Sequence, residues 1–163
     1  KKGLIDIFVN QHTKGNFFEY CETLYVNEDN PISDESDFKK ILMHEIGHFA
    51  IKKINPEQFT NYEEENIFYL HEGFAEFLSL DFLSKLYHDT RLLESIENRK
   101  EYLIGRLDKL RYLDSKSGRP QNFEAPYCFG YNFIQSINQK DGKDGIIETI
   151  MNPPSIDEIK YPI

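Results

Sequence analysis

Residues 39–54 read KKILMHEIGHFAIKKI and place two histidines four apart, with a glutamate directly after the first. The helical spacing begins near Ser36 or Asp37 and runs to about Ile54, where Asn55-Pro56 stops it, since the residue before a proline is steered away from helix. On a helix with 3.6 residues per turn, positions four apart lie about 40° from one another around the axis. His44 and His48 therefore project from one face, one turn apart, close enough to share a metal ion. Glu45 is displaced by one residue, where it can hydrogen-bond a water at that metal without being a ligand. This is the physical content of the pattern H-E-x-x-H. Ordinary residue frequencies give the five-residue pattern in fewer than about one chain in a hundred of this length. The bland reading is an amphipathic helix that carries two incidental histidines.

Working outward, a second helix is expected from about Glu65 through IFYLHEGFAEFLSLDFLSKLY, to about residue 87. It is apolar nearly all round, which marks a central, buried helix. Before the first helix, LIDIFV (4–9) and FFEYCETLYV (17–26) are short β-branched and aromatic runs. They read as two strands joined by a turn near Lys14-Gly15, and NEDNPISDES closes that region. Further helices are expected over about 91–113, from about Tyr127 to Gln139, and over 143–151, with DSKSGRPQNFEAP as a loop. The expected class is α+β: a small, mostly antiparallel N-terminal sheet (about 1–30) packed on helices, with the site on helices 36–54 and 65–87 and a helical remainder over 91–163. One domain accounts for all 163 residues.

A catalytic zinc takes three protein ligands and keeps one position open. The three-histidine extension of the motif requires Gly at 51 and His at 54, and both are Ile. The candidate third ligand is Glu72, 24 residues after His48, on the second helix. Glu72 and Glu76 are acids inside an otherwise apolar helix, and acids are rarely buried without a partner. A dication and its imidazole ligand are such partners.

HExxH followed by a glutamate within Glu72-Gly73-Phe74-Ala75 resembles the gluzincin metallopeptidases, the thermolysin-type enzymes and the large zinc aminopeptidases among them. The likeness covers about residues 17–80. It implies a zincin-like fold, one catalytic Zn²⁺ held by His44, His48 and Glu72, and Glu45 as general base. Glu76 falls where thermolysin-type enzymes place an acid that orients a histidine ligand; its alternative is a surface acid. His71 stands where the aminopeptidases have Asn in the phrase NEGFA, and it either faces the cleft or is turned about 100° away. Those enzymes also supply a tyrosine that stabilises the oxyanion. Tyr127, in APYCFGYNFI, is the match, Tyr131 is its rival, and core packing is the alternative for both. The aminopeptidase element that binds a free amine has no match in GNFFEY (15–20). The implied activity is a zinc-dependent peptidase acting on a peptide or protein substrate, with 17–26 as the strand that pairs with it. The alternative is a catalytically inactive zincin-like module for binding or structure.

Composition narrows the partners. Hydrophobic residues make up 39 % and aromatics 14 %, enough for one core at this length. A net charge of −9 argues against nucleic acid, which needs clustered Lys and Arg. In ESIENRKEYLIGRLDKLR (94–111) the basic residues alternate with acids, as on a solvated helix face. No apolar run is long enough to span a membrane. The chain opens at Lys1-Lys2-Gly3 rather than Met, so the lack of a signal peptide is uninformative and the compartment stays open, a secreted or cell-envelope one included. Cys21 and Cys128 are compatible with one disulfide or two thiols. His12 and His88 read as surface residues.

Overall fold

The structure is a computed structural model that describes residues 6–9, 16–18, 23–26, 35–58, 64–88, 90–117 and 124–162. Its organising element is helix α2 (Glu65–Leu86), in which every residue from Tyr69 to Phe77 is buried. A helix apolar on all sides has to be enclosed by others. The enclosing helices are α1 (Glu35–Ile54), α3 (Thr90–Gly105), α5 (Ala125–Met151) and α6 (Ile156–Lys160), with α4 (Leu107–Ser117) against α3 and α5. Leu70, Leu80, Leu83, Leu92, Ile96 and Phe129 are among the side chains of the resulting core.

Local chemistry sets the ends of these helices. Asn55 stops α1 by donating its side-chain amide to the carbonyl of Ile150 at 2.9 Å, which ties the exit of α1 to the end of α5. Lys52 and Lys53 in the last turn of α1 favour the negative end of its dipole. Pro126 opens α5, where a missing N–H costs nothing. Gly142 breaks α5 with φ of 65°, a left-handed value that glycine adopts freely. The two expected helices on either side of Gly142 are thus one element with a break. Gly105 and Arg106 divide the expected 91–113 helix into α3 and α4, and α4 runs on to Ser117, into the expected loop. Ser155 and Glu158 form a reciprocal capping box that starts α6.

The expected α+β class is corrected: the described core is built wholly from helices, and the fold is all-helical. The reason lies in α2, whose apolar surface is covered by other helices and needs no sheet as a packing layer. Among the described residues the strand-like runs yield β1 (Asp6–Val9), β2 (Asn16–Phe18) and β3 (Thr23–Val26), segments of three or four residues. Their order is β1-β3-β2, with β1 parallel and β2 antiparallel to β3, so they are not mostly antiparallel either. Within the expected substrate-pairing stretch 17–26, β3 lies between the other two strands, while Phe17 and Phe18 belong to β2 at an edge.

Two close crossings fix how the helices sit. A Cβ on Gly47 would fall 2.6 Å from the Ala75 Cα, where α1 meets α2. A Cβ on Gly73 would fall 2.1 Å from the Gly130 carbonyl carbon, and one on Gly130 would fall 2.1 Å from the Tyr69 carbonyl oxygen, where α2 meets α5. The obstructing atoms are backbone, so a side chain there moves a helix rather than a rotamer. Gly130→Ala is expected to destabilise the protein by about 2 kcal/mol or more, since overpacking outweighs the ~1 kcal/mol of helix propensity gained. Thermal unfolding would show a Tm lower by roughly 4–8 °C. Gly105→Ala, with nothing within 4 Å of the added carbon, is the matched control and should be neutral or mildly stabilising.

Candidate metal centre

The crossing of α1 and α2 brings three donors together. A nitrogen from each of His44 and His48 and a carboxylate oxygen of Glu72 all lie within 4.8 Å of one another. His44 Nε2 is 3.3 Å and His48 Nε2 is 3.7 Å from the same oxygen, Glu72 Oε2. The two imidazoles meet edge to face, with ring centroids 4.6 Å apart. Gly47 lies between the histidines and Ala75 beside Glu72, so the absence of larger side chains there allows the approach.

This donor set fits a divalent cation. Glu72 is 8 % exposed, and its Oε2 is buried without accepting a well-formed hydrogen bond from any of the described residues. Burying a carboxylate oxygen in that state is costly. A dication held by His44, His48 and Glu72 would offset that penalty, and two imidazoles with one carboxylate are a donor set that suits Zn²⁺.

Glu76, one turn along α2, faces the other nitrogen of the same ring: its Oε2 is 3.3 Å from His44 Nδ1. With Glu76 on Nδ1, His44 Nε2 is directed at Glu72 and the centre. The second oxygen of Glu76 accepts from Arg99 Nε at 2.5 Å. Arg99 comes from α3, in the stretch that reads as a solvated face, and the sequence carries no signal for it because the contact joins residues 23 apart on different helices. His48 is held differently. Its Nδ1 is buried with no hydrogen-bond partner among the described residues, and the ring stacks on that of His71 at 4.4 Å. His71 is completely buried and is not among the converging donors.

Tyr127, in the first turn of α5, stacks on His44 with centroids 5.9 Å apart. Burial, then the charge of Glu72, raises its phenol pKa, so the hydroxyl stays protonated and able to donate. The charge of Glu45 also acts on this phenol. Tyr131 lies one turn further on, buried against Phe77 at 6.4 Å, with its hydroxyl accepting from Gln135 at 3.4 Å. Its surroundings are those of a core residue. His88 is exposed, while His12 and Cys21 lie outside the described residues. Cys128 is a buried thiol whose pKa burial pushes up to about 11.

Comparison with protein-family models, with curated proteins and with solved structures finds no match to the chain.

The electrostatics of the metal-free cluster follow from the same contacts. Burial disfavours a charged His44, but Glu72 and Glu76 outweigh it and raise the pKa to about 9. Burial, reinforced by His44, lowers both neighbours: His48 falls well below its usual value and His71 falls to about 3. A pKa raised on folding stabilises the native state below the unfolded value of 6.5 and loses that contribution as pH rises through about 9. His44 of the metal-free protein should therefore titrate near 9 by NMR, and its contribution to stability should decline between pH 6.5 and 9. Glu76→Gln should shift that midpoint downward.

Proposed function

We propose that the protein is a zinc-dependent peptidase. The observation that carries this reading is the convergence of His44, His48 and Glu72 on one point, with Glu45 next to the first ligand and Tyr127 stacked against it. Among the described residues no fourth His, Cys, Asp or Glu joins the cluster. That supports a catalytic centre over a structural one, which would close its coordination with four protein ligands.

A zinc ion held there would polarise a carbonyl and lower the pKa of water toward about 7. The chain's own residues supply the rest. Glu45 accepts the proton of the attacking water and returns it to the leaving amine, so one carboxylate serves first as base and then as acid. Tyr127 donates its hydroxyl hydrogen to the oxyanion that develops at the scissile carbonyl. Glu76 keeps His44 in the tautomer that offers Nε2 to the metal. The site would thus cleave peptide bonds by hydrolysis, with no covalent enzyme intermediate.

Metal analysis of the purified chain should find one zinc per molecule, and His44→Ala should lose it. Glu45→Gln should retain the metal while peptide cleavage, followed by mass spectrometry on a mixed peptide library, falls by at least about 10²-fold. Tyr127→Phe should lower kcat by about 10²-fold with little change in zinc content. A Glu45→Gln protein that cleaves as fast as the wild type would rule out the assigned base.

A further inference from the structure

We infer that Arg99 is a positioning residue of the metal centre, acting through Glu76 on His44. The inference rests on the zinc reading of the His44, His48 and Glu72 cluster. The geometry is a continuous chain of contacts across three helices. Arg99 Nε donates to Glu76 Oε1 at 2.5 Å, Glu76 Oε2 is 3.3 Å from His44 Nδ1, and His44 Nε2 is 3.3 Å from Glu72 Oε2.

The two middle members, Glu76 and His44, each use both of their polar atoms, one toward the centre and one away from it. Glu76 is 7 % exposed, so its carboxylate is fixed by Arg99 and His44 rather than by solvent. A carboxylate anchored at one oxygen presents the other in a set direction. That direction decides how the His44 ring turns and where its Nε2 lone pair points. A carboxylate free to rotate about its last torsion would leave the ring less well aimed.

Arg99 is itself held. Its guanidinium lies over the Tyr102 ring, with Cζ 5.6 Å from the centroid, and Arg106 packs its guanidinium at 5.4 Å from the same ring. The Tyr102 hydroxyl donates to Glu124, which also accepts from Arg106 at 2.5 Å. Glu124 is the residue at the N-terminus of α5, one turn before Tyr127. One side of α3 therefore grips α2 at Glu76 and α5 at Glu124. An arginine suits this place better than a lysine, because its planar fork fixes direction as well as charge.

The test measures zinc affinity of the full chain by competition with a chromogenic chelator, and the visible spectrum of the cobalt-substituted protein. Arg99→Ala should weaken zinc binding about tenfold and alter the cobalt bands, within the 10- to 100-fold span typical of losing an outer partner. Arg99→Lys should recover part of the affinity. In a Glu76→Gln background, Arg99→Ala should add little, because the route to His44 is already cut. Circular dichroism and Tm on each variant separate a metal effect from a folding effect. If Arg99→Ala lowers Tm but leaves zinc affinity and the cobalt spectrum unchanged, the residue only ties α3 to α2 and the inference falls. Full additivity with Glu76→Gln overturns it as well. A wild-type chain that binds neither metal overturns the zinc reading first and the inference with it, a result distinct from either.

Discussion

The positions of the three candidate metal donors, His44, His48 and Glu72, depend on how closely α1, α2 and α5 approach one another. Side chains of ordinary size hold packed helices 8–10 Å apart, but here the contact points carry Gly47 against Ala75 and Gly73 against Gly130. Backbone meets backbone at both crossings. His44 and His48 flank the first crossing on α1, while Glu72 directly precedes Gly73, the α2 residue of the second crossing. A separation larger by even one methyl diameter would pull the histidines away from the carboxylate. The small residues of HEIGH and EGFA are therefore as necessary to the cluster as its three polar side chains, although they supply no donor themselves.

The burial of α2 has a second consequence. Enclosing a helix on all sides places Glu72 and Glu76 in surroundings that penalise charge. Each carboxylate is then tolerable only through specific partners. Glu76 has His44 and Arg99, and these outweigh burial to hold its pKa below the usual value. Glu72 has an oxygen that faces two imidazole nitrogens and no well-formed hydrogen bond. A cation would resolve that imbalance, and it would do so by replacing the proton that His44 otherwise keeps between the two carboxylates. The same burial keeps the neighbouring His48 and His71 neutral, which is the state a metal-binding imidazole requires.

Some of this was legible beforehand. The spacing of His44 and His48 follows from helical geometry alone, and two acids in an apolar helix are a signal that something must compensate them. The bounds of α1 and α2 were readable from Asn55-Pro56 and from the unbroken apolar run. The sheet reading went too far because β-branched and aromatic runs report local preference, while the layer that covers a core is settled by which surfaces need covering. Arg99 was not legible at all. A mixed-charge helix looks the same whether its arginine reaches into water or across to a buried carboxylate, since that difference depends on the packing of α3.

The sequence by itself determined the donor types, the face on which the two histidines lie and the identity of the carboxylate that could complete them, because period and residue chemistry are local properties. The tertiary structure decided the rest. It brought Glu72 within 3.3 Å of His44 Nε2, placed Tyr127 rather than Tyr131 beside that ring, stacked His71 behind His48 and supplied Arg99 from a third helix. It also replaced the anticipated sheet-on-helix body with an all-helical one. These are non-local outcomes: they depend on which helices pack together and how closely, and that distance is set by pairs of small residues far apart in the chain.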